Sequence, residues 1–325
     1  MKKRGVGMGC MWYGIGNTGL PNPAAAFVEV HQDGTVTVLA GCADLGQGSD
    51  TVLCQIVAEE LGVDYEDVFI TSADTAVTPE AGATSASRQT YISGNACKAA
   101  AKMAKETLLK VAAEILGTEI SKVDIKEKRA FIVDSPENYI TYTDIMAGLK
   151  ARGMIALGSG YFNPSTSALD PQTMQGVPYA IYAFATHVTE VEVDTITGEV
   201  EVLKVVAAHD VGRGINKANI EGQIEGGCLM GTGYALTEKL EVKDGVMENP
   251  SFSKYLIHTA KDMPEIHPII VEAPTESGPF GAKGVGEPAL IPVAPSILNA
   301  IYDAVGVRFT ELPVSPESIV AALNK

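Results

Sequence analysis

Two runs of alternating apolar and polar residues, 25–31 and 35–41, flank Asp33-Gly34. A period of two marks strands buried on one face, and Asp-Gly favours a tight turn, so the segment predicts a β-hairpin. The period then changes. Val52, Leu53, Ile56, Val57 and Leu61 recur at helical spacing, with Ser49 or Asp50 placed to cap the helix and Gly62 to end it. A strand-like VFITSA follows, then a polar, small-residue stretch over 78–90 and a long Ala-, Lys- and Leu-rich helix over about 93–116. AFIV reads as a short strand and 141–150 as a short helix.

From 182 the plan repeats. Two alternating runs turn at Thr197-Gly198, a glycine-studded helix occupies much of 211–240, a further hairpin turns at Asp244-Gly245, and 266–273 reads as a strand. The last predicted helix covers 295–305. Each half thus runs hairpin, glycine turn, helix, with a Gly-Gln pair near a helix in each: Gly46-Gln47-Gly48 and Gly222-Gln223. This is an approximate internal duplication. The proline- and turn-rich stretch 158–178 is the candidate boundary, dividing the chain into lobes 1–170 and 171–325. The fold class is α+β: two lobes of mixed and antiparallel sheet, with helices packed on one face.

Composition narrows the partners. Of 325 residues 46% are hydrophobic, enough for one large core or two ordinary ones. Forty acids against 24 bases give a net charge of −16, which argues against nucleic acid and anionic membranes. No apolar run reaches the length of a membrane span. The basic start lacks the apolar segment of a signal peptide. Five cysteines stand singly with no CxxC, which suits a reduced cytoplasm and excludes an iron–sulfur cluster on this chain. Cys54 and Cys228 lie in apolar stretches and read as small core residues.

Candidate chemistry lies in the loops. Gly14-Ile-Gly16-Asn-Thr-Gly19 matches a dinucleotide fingerprint in letters, but Leu-Pro-Asn-Pro follows where that motif needs a helix. There is no Walker A motif, no GxSxG, and no histidine pair at metal-binding spacing. LGQGSDT joins a glycine turn to a helix start, where N–H groups and the helix dipole favour anions, and Gln47 adds a donor and an acceptor. Residues 83–90, ATSASRQT, offer amides, hydroxyls, a guanidinium and an amide side chain, a set suited to a large polar cofactor or, equally, to a turn rich in caps. FGAKGVGEPA (280–289) surrounds one acid, Glu287, with Gly281, Gly284 and Gly286. Pro288 biases the acid toward extended backbone. The loop reads as one that presents a single carboxylate at a fixed place, or as a surface loop whose acid is simply solvated.

GQGSDT, TSASRQT, GQIEGG and GAKGVGEP, in this order, resemble the C-terminal half of the molybdopterin-binding catalytic subunit of the molybdenum hydroxylases, the xanthine dehydrogenase and aldehyde oxidoreductase family. The likeness runs from GVGMG at the start to the helix over 295–305. With Trp12-Tyr13 in the first loop, it is to the medium molybdopterin subunit of enzymes of the nicotinate dehydrogenase type. It implies a cofactor domain of the xanthine oxidase type. It assigns the catalytic base to Glu287 and cofactor contacts to Gly46, Gln47, Gly48, Ala83, Thr84, Ser85, Ala86, Ser87, Arg88, Gln89, Gln223 and Gly286. Tyr13 would line the substrate pocket, or simply pack in the core. The implied cofactor is molybdenum on molybdopterin, in its cytosine dinucleotide form, with a terminal sulfido or selenido ligand and no metal ligand from the protein.

The implied reaction uses water to hydroxylate an electron-poor carbon beside nitrogen in an N-heterocycle, the nicotinate to 6-hydroxynicotinate class. A purine or aldehyde substrate is the alternative within the family, and a non-catalytic assembly module that keeps the fold is the alternative outside it. The implied partners are a larger molybdopterin subunit supplying the N-terminal half, and 2Fe-2S and FAD subunits passing electrons to NAD(P), all cytoplasmic. Lys217 and Met230 stand where many relatives have Pro and Gln, which limits finer borrowing.

Overall fold

The computed structural model describes residues 1–324. In chain order its strands are β1 (Lys2–Gly14), β2 (Ala24–Val30), β3 (Val36–Ala40), β4 (Val68–Ser72), β5 (Val123–Lys126), β6 (Arg129–Ile132), β7 (Ser135–Thr141), β8 (Ala156–Phe162), β9 (Tyr182–Asp194), β10 (Val200–Asp210), β11 (Val242–Lys243), β12 (Val246–Met247) and β13 (Glu265–Val271). Its helices are α1 (Ser49–Leu61), α2 (Gly94–Leu116), α3 (Tyr142–Ala151), α4 (Lys217–Leu236), α5 (Val293–Val305) and α6 (Pro316–Leu323). The α+β class is as expected from the pattern.

The chain forms two compact units, each discontinuous in sequence. One comprises 14–181 and 274–284; the other comprises 1–13, 182–273 and 285–325. The break falls at 181/182 rather than 170/171, and two segments cross it. The physical reason lies in pairing. β1 joins the sheet of β9, β10 and β13, while Ser277 is held by residues of the first unit, accepting from Tyr91 Oη at 3.1 Å and from Asn95 Nδ2 through its carbonyl at 2.8 Å.

In the first unit the sheet order is β4-β3-β2-β8. β2 pairs antiparallel with both β3 and β8, and β3 pairs parallel with β4 through the α1 crossover. The second unit repeats this with β13-β10-β9-β1. There β9 and β10 form the antiparallel hairpin, and β10 pairs parallel with β13 after α4. The duplication read from the sequence is therefore a repeat of sheet topology.

The repeat extends to glycines that the pattern hid. α2 lies so close to β8 that a Cβ on Gly158 or Gly160 would fall 1.9 Å from the carbonyl oxygens of Ala100 and Ala96. α5 lies on β1 in the same way, with Gly5 and Gly7 against Ala300 and Ser296. Alanine on the helix and glycine on the strand let two backbones touch. Both strands place glycines at inward positions for that reason, so the sequence reads Trp12-Tyr13 as part of a loop and 158–162 as part of a turn-rich stretch.

The core of the second unit includes Val191, Val193, Val205, Ile224, Cys228, Ile297 and Ile301. Residues 287–305 are apolar enough over 19 residues to cross a membrane by length and composition, contrary to the expectation that no apolar run is so long. In this fold they contain a core helix, with Val293, Ile297, Ala300 and Ile301 fully buried. Cys54 and Cys228 are buried, as expected, and all five cysteines are free thiols. Beneath the helices of this unit His187 Nε2 and His209 Nε2 lie 2.6 Å apart, with one proton between them. Burial, and then the neighbouring ring, pushes the His187 pKa down to about 3, and burial pushes His209 down to about 4. The pair is neutral at pH 7.

Candidate functional site

In the first unit the glycine turn before α1 has Gly46 at φ 100° and Gly48 at φ 81°, both left-handed. Neither Ser49 nor Asp50 caps the helix. Asp44 does so from outside it, accepting from the N–H groups of Gly46 at 2.7 Å, Gly48 at 3.3 Å and Asp50 at 3.1 Å. Burial works against the Asp44 carboxylate, but these backbone bonds prevail and hold its pKa below the usual value. The helix start expected to attract an external anion thus already holds one. Gln47 is folded onto its own turn: Nε2 donates to Ser49 Oγ at 2.9 Å and Ala43 O at 3.3 Å, and Oε1 accepts from Leu45 N–H at 2.6 Å. Outward the turn shows the exposed Leu45 side chain and the backbone of Gly46. A Cβ on Gly46 would meet nothing within 4 Å.

The ATSASRQT stretch lies beside this turn. Thr84 Oγ1 donates to Ala43 O at 2.7 Å, the same carbonyl that Gln47 holds. Ala86 and Ser87 stand at φ 51° and 50°, two left-handed non-glycine residues in succession. Each such conformation costs about 1 kcal/mol or more, so the surroundings must impose it. Arg88 does much of this. It is 2% exposed and turned inward, with its guanidinium donating to the carbonyls of Ala81, Ala83, Asn22 (3.2 Å) and Pro23 (2.8 Å). Gly82 leaves room for it, since a Cβ there would sit 2.7 Å from Nη1. The reading of Arg88 as a cofactor contact is corrected here: its guanidinium binds the carbonyls that shape the loop.

Gln89, also buried, donates to Thr84 Oγ1 at 3.0 Å and accepts from Ser93 Oγ at 2.5 Å. It too braces the loop. Ala83 and Ser85 remain exposed, with Thr84, Ala86 and Ser87 half-buried. Gly284 closes the arrangement. A Cβ on it would lie 1.9 Å from Ser87 O, so the start of the GAKGVGEP loop packs on the ATSASRQT backbone. Three motifs that are distant in sequence therefore meet in one unit.

The second unit carries Gly286, Glu287, Tyr13 and Gln223. Glu287 is exposed, as a carboxylate meant for a ligand must be. It opens a short 3₁₀ turn, Glu287–Ala289, closed by Leu290 N–H donating to Glu287 O at 3.2 Å. The expected extended backbone is thus replaced by a turn; proline in a first helical turn loses no hydrogen bond. Gly286 has an ordinary φ of −53°, so positive φ is not its purpose. Tyr13, at the end of β1, donates its phenol proton to Glu287 Oε2 at 2.6 Å. The turn is seated on α4: Gly227 makes room for Ala289, and Gly231 for Val293. Gln223 is half-buried one turn earlier on α4, between Gly222 and Gly226, where a Cβ would meet nothing within 4 Å.

Each unit by itself thus bares backbone beside polar side chains, an arrangement suited to polar ligand groups. Among the described residues no group of three or more His, Cys, Asp or Glu could hold a metal ion. Sequence reasoning passed over Asp44, for which an aspartate just before Gly-Gln-Gly was the available signal.

Comparison with known proteins agrees with this picture. Residues 1–264 match the molybdopterin cofactor-binding domain. The chain is 33% identical over 323 residues to the xanthine dehydrogenase molybdenum-binding subunit of Escherichia coli O157:H7, covering 98% of this chain and 42% of that protein. It is 34% identical over 331 residues to the 6-hydroxypseudooxynicotine dehydrogenase complex subunit gamma of Paenarthrobacter nicotinovorans, covering all of this chain and 40% of that one. Its fold matches quinoline 2-oxidoreductase from Pseudomonas putida 86 with a TM-score of 0.89 at 26% identity, over 100% of this chain and 42% of that one. The chain belongs to the molybdopterin-binding domains of the xanthine dehydrogenase and aldehyde oxidoreductase family. It spans about two fifths of the length of these relatives.

Proposed function

We propose that this chain is the part of a molybdenum hydroxylase that carries the catalytic base, acting on an electron-poor carbon beside nitrogen in an N-heterocycle of the nicotinate class. The observation that carries this reading is the exposed Glu287 carboxylate, fixed by a hydrogen bond to Tyr13 in a turn seated on α4. Two relatives are named for N-heterocyclic compounds, quinoline and a nicotine derivative, which supports that class, while aldehyde oxidoreductases of 32–33% identity keep aldehydes as the second reading. Its partners in this reading are a separate larger molybdopterin subunit and 2Fe-2S and FAD subunits that complete the electron path to NAD(P). We place the assembly in the cytoplasm.

Bound molybdenum, held on molybdopterin in its cytosine dinucleotide form with a sulfido or selenido ligand, supplies the two-electron oxidation. This chain supplies the rest. Glu287 accepts the proton released as water-derived oxygen is transferred. The backbone of Gly46, Gly48 and 83–87, with the hydroxyls of Ser85 and Ser87, holds the polar tail of the cofactor. Gln223 bonds the pterin, Gly286 lets the turn come close to it, and Tyr13 lines the substrate side. Gln47, Arg88 and Gln89 serve by keeping the two loops in shape.

The test is metal content. Gln223→Ala, or a Ser85→Ala/Ser87→Ala double change, is expected to lower molybdenum in the purified complex several-fold, measured by elemental analysis, without unfolding the chain. Full loading in both variants would remove these contacts from the account.

A further inference from the structure

We infer that Tyr13 is a positioning residue for Glu287 rather than only a wall of the pocket, an inference that rests on the reading of Glu287 as the base. The phenol and the carboxylate are far apart in sequence yet lie 2.6 Å apart in one compact unit. Each is anchored by its own element. β1 is locked beneath α5 by Gly5, Gly7 and Gly9, and Trp12 stacks on Tyr182 with ring centroids 5.9 Å apart. Glu287 is anchored by Pro288 and Ala289, both buried, the latter against Gly227.

A phenol stays protonated at neutral pH and can only donate to an ionised carboxylate. The bond has a geometric consequence. It fixes Oε2, and with it the plane in which Oε1 takes up a proton, so the exposed side chain does not wander through its rotamers. Tyr13 forms no bond to a reacting atom in this account; it acts through Glu287.

The experiment is Tyr13→Phe in the assembled complex, with two readouts. The first is kcat against KM on an N-heterocyclic carboxylate. Loss of the phenol donor is expected to lower kcat about tenfold and to change KM little. The second is the carboxylate stretching band of Glu287, isolated by infrared difference spectroscopy on the full chain with Glu287→Gln as the blank. Loss of the hydrogen bond is expected to shift that band. A Tyr13→Phe enzyme whose KM alone rises, with the carboxylate band unmoved, overturns the inference and leaves Tyr13 as a pocket wall. If Glu287→Gln keeps full turnover, the base assignment fails separately, and the carboxylate band still decides whether Tyr13 holds that group.

Discussion

Replacing Glu287 by glutamine is expected to lower turnover of the assembled enzyme by about 100-fold or more, with bound molybdenum unchanged. The substitution keeps size and shape. Its amide oxygen can still accept from the Tyr13 phenol, whose oxygen lies 2.6 Å from Oε2. The side chain is exposed and the turn is anchored by Pro288 and Ala289, so neither fold nor loop packing should move. What disappears is the capacity to take up a proton. General-base catalysis typically contributes about 10²–10⁴-fold, which sets the size of the loss. Steady-state kinetics with elemental analysis of the same sample checks it. Near-normal turnover at full loading would remove Glu287 from the chemistry and favour a module that keeps the fold without the reaction.

The second large effect is expected at Arg88. Arg88→Met keeps much of the volume but leaves the carbonyls of Asn22, Pro23, Ala81 and Ala83 without their guanidinium donors in a site only 2% exposed. Unsatisfied buried acceptors cost about 1–3 kcal/mol each, and partial relaxation brings the expected loss to about 3–5 kcal/mol. Arg88→Lys should recover little, because one ammonium cannot span carbonyls arranged around a planar fork. The left-handed pair Ala86-Ser87 then loses its brace, so molybdenum content should fall with stability. Chemical denaturation and elemental analysis of the variant complex measure both. Unchanged stability would mean that the loop holds its shape without the guanidinium.

The hairpins, long helices and acid-bearing loop could be read from the chain because local chemistry decides them. Asp33-Gly34 does turn β2 into β3, with Gly34 left-handed, and α2 begins within a residue of the expected start. β1 and β8 could not be read so, because their inward positions are glycines chosen for a helix backbone far along the chain. Helix α6 had a signal that was passed over: Ser315 caps it ahead of Pro316 at its first position.

The site divides in the same way. The glycine loop ending in Glu-Pro singles out Glu287, and the family resemblance gives it the proposed role of base. The hydrogen bond of Glu287 to Tyr13 was not legible, since only the fold brings the end of β1 to that turn. Arg88 shows the converse. In sequence it looks like an anion contact among hydroxyls; in three dimensions burial turns the guanidinium onto main-chain carbonyls.

The most direct test of the central claim is purification of this chain from its own host by an affinity tag. Co-purifying polypeptides would be identified by mass spectrometry, and molybdenum, iron and selenium measured in the same sample. A stoichiometric second molybdopterin subunit, with iron–sulfur and flavin partners and one molybdenum for each copy of the chain, is the result expected here. A chain recovered alone and free of molybdenum, from cells that make the cofactor, would contradict it.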